Sequence, residues 1–316
     1  MNFSELIDQF FNKRSYVAGK FALELDGNRA GWLHSFEGGM PTAELVNERT
    51  GPDPLTHKHI SGVKYEDLTV SFGTGMSKEF VDWITNSFQR KYSRANGAVI
   101  SADYNQREKG RLSFYNALVS QATFPALDAN SKEPSKMTVK ITPEYSRFEF
   151  SKTPGPPIKG EYNRQIQSRW NPDNFRLRIG HLDCTRVSKI DALTLTQKTT
   201  TYNIGEVRDY QVEPVQIEYP NLVITLPESH SDSWWKWYKD FVVDGNCNEN
   251  SEVDGVLEFL DTSHQKTLLT VGFSRLGIFK ATPDKAEAGS DSIRKVKFEM
   301  YCEGMDFKFG SGSVWK

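Results

Sequence analysis

Few residues in this chain are spaced as chemistry would need them. His57-Lys58-His59 would put two imidazoles on one face of an extended strand, as a metal pair requires. No third ligand stands with them, so a solvated histidine pair is the better reading. Gly73-Thr74-Gly75-Met76-Ser77-Lys78 has the glycines of a phosphate-cradling loop but not the G-x-x-x-x-G-K-[ST] spacing. Two turn glycines ahead of a helix cap account for it. His34 and Ser35 lie in Leu33-His34-Ser35-Phe36, without the glycines of a nucleophile elbow. H-E-x-x-H does not occur, and no motif pairs two carboxylates as acid and base. Cys184, Cys247 and Cys302 are odd in number and widely spaced, which reads as reduced thiols and not as a disulfide framework or zinc ribbon. The expectation is therefore no catalytic residue, no cofactor-binding residue, no metal ligand, no cofactor and no enzyme.

The totals agree. Lys plus Arg number 39 against 41 Asp plus Glu, a net charge of -2, which does not point to a nucleic-acid or membrane-surface binder. No apolar run reaches the roughly 18–20 residues that span a bilayer, and Met1 to Leu6 lack the features of a secretory signal. At 316 residues, two domains are expected.

What the chain does carry is a repeat. Phe21-Ala22-Leu23-Glu24-Leu25 and Phe175-Arg176-Leu177-Arg178-Ile179 alternate with period 2 and lie 154 positions apart. Leu68, Val70 and Phe72 recur as Leu222, Ile224 and Leu226 at the same distance. A helix follows each strand, with Ser77 and Ser231 as matching caps and Trp83 and Trp237 as matching inward residues, again 154 apart. The tryptophans sit at core periodicity, which argues against nucleotide stacking. Gly97 matches Gly255, and Val139 is matched with Val296, 157 positions on. Each repeat thus reads as strand, long loop, strand, helix and several more strands. That order predicts a mainly β fold (α+β), two tandem β-sandwich or barrel domains with one flanking helix each. The expected organisation is an N-terminal amphipathic helix at 1–14, domains at 15–150 and 172–316, and a Pro- and Gly-rich linker at 151–171.

The first repeat resembles the tail-tube proteins of contractile phages and related injection systems. The resemblance is carried by Asp26-Gly27, Gly31 to Gly39, Lys64 to Val70 with the Trp83 helix, Tyr92 to Gly97, and Phe114-Tyr115-Asn116-Ala117. It extends to the second repeat through the duplication. It implies a structural component of a phage-tail-like tube, in which six domains join sheet edges into a ring, rings stack, and the 38–63 segment is an irregular ring-to-ring contact arm. The partners implied are the chain itself, as a trimer or hexamer, and other tube, baseplate or sheath proteins. Membrane, small-molecule substrate and specific nucleic acid are not among them. The location implied is the cytoplasm, within a phage-tail-like particle. The competing reading is a soluble adaptor or cargo-binding module associated with such a tube.

Overall fold

The computed structural model describes residues 19–49, 56–103, 105–150, 155, 157–158, 170–203, 205, 209–285 and 293–310. The amphipathic segment 1–14 and most of the linker 151–171 lie outside them.

The first repeat opens with β1 (Lys20–Leu25), β2 (Asn28–Leu33) and β3 (Ser35–Gly38). Asp26 and Gly27 between β1 and β2 both have positive φ, 47° and 81°, which a two-residue hairpin turn demands. β4 (Pro41–Glu48) and β5 (His57–Tyr65) form a hairpin that, among the described residues, pairs with no other strand. Then come β6 (Leu68–Phe72), helix α1 (Lys78–Phe88), β7 (Ala95–Ala102), β8 (Glu108–Phe124), β9 (Leu127–Asp128), β10 (Met137–Thr142) and β11 (Tyr145–Phe150).

The second repeat runs β12 (Phe175–Ile179), β13 (Lys189–Ile190), β14 (Leu193–Tyr202), β15 (Gln211–Glu218) and β16 (Leu222–Pro227), then helix α2 (Asp232–Tyr238), β17 (Val253–Leu260), β18 (Thr267–Pro283) and β19 (Lys295–Phe309). The mainly β architecture in two related halves is as the repeat predicts.

Each repeat has one long strand that serves two sheet regions. The first half of β8 lies between β7 and β11, and its second half turns to β10. The change falls at Asn116, with φ 48°, and a bulge follows it. β18 behaves likewise, with Arg275 at φ 53°. Both repeats then close onto their helix. Phe80, Val81, Trp83, Ile84 and Phe88 of α1 are buried, as are Trp234 and Trp237 of α2. The inward residues Leu68, Val70, Phe72, Leu222, Ile224 and Leu226 are all 0% exposed. The two repeats share a continuous core: Phe88 and Phe124 each pack on Phe307 of the other repeat.

Three details differ from the sequence expectation. The arm between the first strands is a regular hairpin over its described residues. Its Pro and Gly residues, which read as irregular, stand at the base and in the 50–55 segment outside the description. Ser231 occupies the cap position but does not cap: its Oγ donates to Glu228 O at 2.6 Å, because a 3-10 turn over Glu228–His230 precedes the helix. Ser77 does cap, accepting from Phe80 N at 3.3 Å. Finally, Val139 pairs with Val70 while Phe298 pairs with Ile224. The counterpart of Val139 is therefore Phe298, at 159 positions, and not Val296. A slip of two keeps the same face inward, so alternation alone cannot detect it.

Candidate assembly interface

The residues whose types could do chemistry are not brought together. His57, Lys58 and His59 stand exposed on β5, and His59 meets Glu48 at 3.9 Å. Gly73 to Met76 form the entry to α1, where Met76 is buried against Gly31. Among the described residues no group of three His, Cys, Asp or Glu is placed to hold a metal. The three cysteines are free, and burial pushes the Cys184 thiol up to about 11. Trp83 is 4% exposed and donates to Ser93 O at 2.8 Å; Trp237 is 6% exposed. Both are core residues.

The feature with functional consequence is the way the repeats join. β14 adds to the second half of β8, with Leu193, Thr194, Leu195 and Thr196 opposite Phe124, Thr123, Ala122 and Gln121. The hydroxyls of Thr123 and Thr194 meet at 3.1 Å across the seam. A sheet begun by β3, β6, β10 and β8 of the first repeat thus runs on into β14 and β15 of the second. The short β9 of the first repeat pairs in return with β13 of the second.

A charged clasp locks this seam. Arg94 pairs with Glu144, and Asn116 Nδ2 holds the other carboxylate oxygen at 3.0 Å. β15 lies against the pair. Arg94 donates to Val212 O at 2.7 Å, and Val212 N donates to Glu144 at 3.2 Å. Both backbone groups of Val212 are thereby satisfied, as burial requires. Arg94 also meets Glu213 at 2.9 Å. Further along, the Tyr65 hydroxyl donates to Asp209 at 2.7 Å. Leu193, Leu195, Gln197 and Val212 of the second arm are consequently buried. None of these contacts was singled out in the sequence. The available signal was a charge difference between the repeats, visible only after alignment.

The arrangement is one of edge pairing, in which unpaired N–H and C=O groups of one sheet are capped by a neighbouring strand. A family model, T4-like virus tail tube protein gp19, matches residues 17–147 and again 171–306. The chain belongs to that tail tube family. Each repeat is one tail tube domain, and the protein is a structural tube component. Solved structures similar to this chain include the sheath–tube complex of an extracellular contractile injection system, PVC, at 16% identity over 48% of this chain and 99% of that one, TM-score 0.39. The PVC sheath/tube terminator matches at 16% identity, 44% and 99% coverage, TM-score 0.39. Hcp1 from Flavobacterium johnsoniae matches at 16%, 43% and 99%, TM-score 0.29. No curated protein matches the chain. No helix among the described residues is long and apolar enough to cross a membrane.

Proposed function

We propose that three copies of this chain supply six tail tube domains to one ring of a phage-tail-like tube, with no catalytic role. The observation that supports this reading is the seam between β8 and β14. It joins the two domains of one chain through a shared sheet, with a common core behind it. Two domains so joined are side-by-side neighbours, which suits one ring and not two stacked rings. In this reading the chain lies in a tail-like particle assembled in the cytoplasm, and the faces of the ring meet other tube, baseplate or sheath proteins. The domain division follows the repeat, near 15–150 and 172–316.

Native mass spectrometry tests the stoichiometry. From a chain mass of 36.0 kDa, three copies give about 108 kDa and six give about 216 kDa. A particle of three chains supports the proposal, and one of six chains overturns it. A chain that forms no ring even when co-expressed with its genomic neighbours overturns the assembly itself. Edge contacts can be weak at low concentration, so the measurement is made across a concentration series.

A further inference from the structure

The seam inside the chain has an unoccupied copy outside it, and each half of that copy can be located residue by residue. The two hairpin arms share one register. Pro41 faces Tyr65 in the first arm, and Leu195 is followed by Thr196 facing Glu218 in the second. On both strands the counterparts lie 154 positions apart, so Gly39 to Thr42 correspond to Leu193 to Thr196, and Lys58 and His59 to Val212 and Glu213. The receiving edge is likewise duplicated. The skipped bulge residue after the bend is Ser120 in β8 and Phe279 in β18, which aligns Gln121-Ala122-Thr123-Phe124 with Lys280-Ala281-Thr282-Pro283. In the first domain this edge carries β14. In the second, among the described residues, no strand pairs with it, and the large apolar Phe279 is 41% exposed. Beyond its base, where Tyr65 meets Asp209, the first arm also has no seat among the described residues: Leu45 and Ile60 are 64% and 61% exposed.

The clasp is inverted between the two copies. Gly97 and Gly255 are counterparts in the ladders, which puts Glu252 at the place of Arg94. Asn116 corresponds to Arg275 and Glu144 to Glu303, by the positive-φ bend and the pairings beside it. The first domain therefore offers an arginine to an arm bearing Glu213. The second offers Glu252 and Glu303, with Glu249 beside them and Arg275 as the one cation among the four, where an arm bearing His57, Lys58 and His59 would arrive. One oxygen of Glu252 accepts the Tyr301 hydroxyl at 2.7 Å, and the other has no donor. Lys58 forms no ion pair among the described residues.

We infer that the first arm of one copy docks on the free β18 edge of the second domain in the next copy, with the Glu252–Glu303 cluster receiving the basic 57–59 segment. The inference rests on the tube reading and adds the partner surface and its selectivity. A first arm on a first domain would set Lys58 against Arg94, and a second arm on a second domain would set Glu213 against Glu252. Like charges facing across an interface exclude wrong partners. The inversion leaves one choice, and copies join head to tail, the heterologous arrangement that closes into rings. Pro41 and Pro283 each remove a donor from the strands involved, so the charged contact carries more of this junction than of the internal one, and a lone chain is guarded against indiscriminate edge pairing.

Disulfide trapping reads this contact even when it is weak. In a Cys247→Ser background, Thr42→Cys with Lys280→Cys places thiols at facing positions of the proposed ladder. Gln121→Cys with Thr196→Cys is the internal control, because that pair is opposed in the folded chain. The expected result is cross-linked multimers for the first pair and a cross-link within one chain for the second. Adding Glu252→Arg and Glu303→Arg should lower the multimer yield at least ~10-fold, and Lys58→Glu with His59→Glu should restore it. A control that closes while the test pair yields only monomer overturns the inference. So does multimer yield that ignores the charge reversals. If rings form by native mass but the test pair does not cross-link, the docking is wrong and the tube reading stands.

Discussion

The two hairpin arms have the same register and different fates. The second buries Leu193, Leu195, Gln197 and Val212 against the neighbouring domain, while the first has no buried residue over β4 or β5. Their bodies differ in the same way, one with an arginine–glutamate clasp filled by backbone and the other with Glu252 and Glu303 beside Arg275 and, among the described residues, no strand laid on them. Duplication gave both halves one architecture, and in the proposed ring divergence at a handful of positions decides which neighbour each accepts.

Several measurements would break or sharpen that contrast. The largest effects belong to what the halves share. Trp83→Ala and Trp237→Ala should each cost ~3–5 kcal/mol, as for other buried large aromatics. Because the cores are continuous, calorimetry should show one transition shifted in both variants; two separate transitions would mean that the domains fold independently. Next comes the clasp. Glu144→Ala strands Arg94 and Val212 N, and since Arg94 is 30% exposed and Glu144 10%, we expect about 2 kcal/mol, below the loss for a fully buried pair. Glu303→Ala at the matching position in the second domain should stay within ~0.5 kcal/mol in the lone chain, since its pairing with Arg275 is exposed. Equal losses would remove the distinction between a filled and an empty seat.

The caps give a smaller difference. Ser77→Ala should cost about 1 kcal/mol by freeing Phe80 N, whereas Ser231→Gly should leave the start of α2 unchanged by hydrogen exchange, because no cap bond is lost there. Least of all, Lys58→Ala should not move the melting temperature of the isolated chain, its side chain being exposed and without an ion pair among the described residues. A measurable loss would show that the first arm is already seated.

How much of this was legible beforehand follows from periodicity. Phe21 to Leu25, Leu68 to Phe72 and the Trp83 and Trp237 helices were readable because one face of each is buried and the pattern records it. β4 and β5 were not, because a hairpin with both faces in solvent has no alternation to read. Ser231 looked like a cap because residue type does not reveal the 3-10 turn before it. The seam was invisible for another reason. Thr123 and Thr194 are 71 positions apart, and nothing local in either strand names its partner. The spacing of His57-Lys58-His59 suits metal chemistry, yet in the proposed docking it is the charge of Lys58 that matters.

The shared core also has an arithmetical effect. A ring built only of this chain grows by two domains at a time, so five or seven domains are unreachable, and an error in ring size must insert or omit a whole fused pair. Single-domain subunits meet that hazard one step at a time. Here the peptide bond between the repeats forbids half the wrong answers before any contact between copies is made.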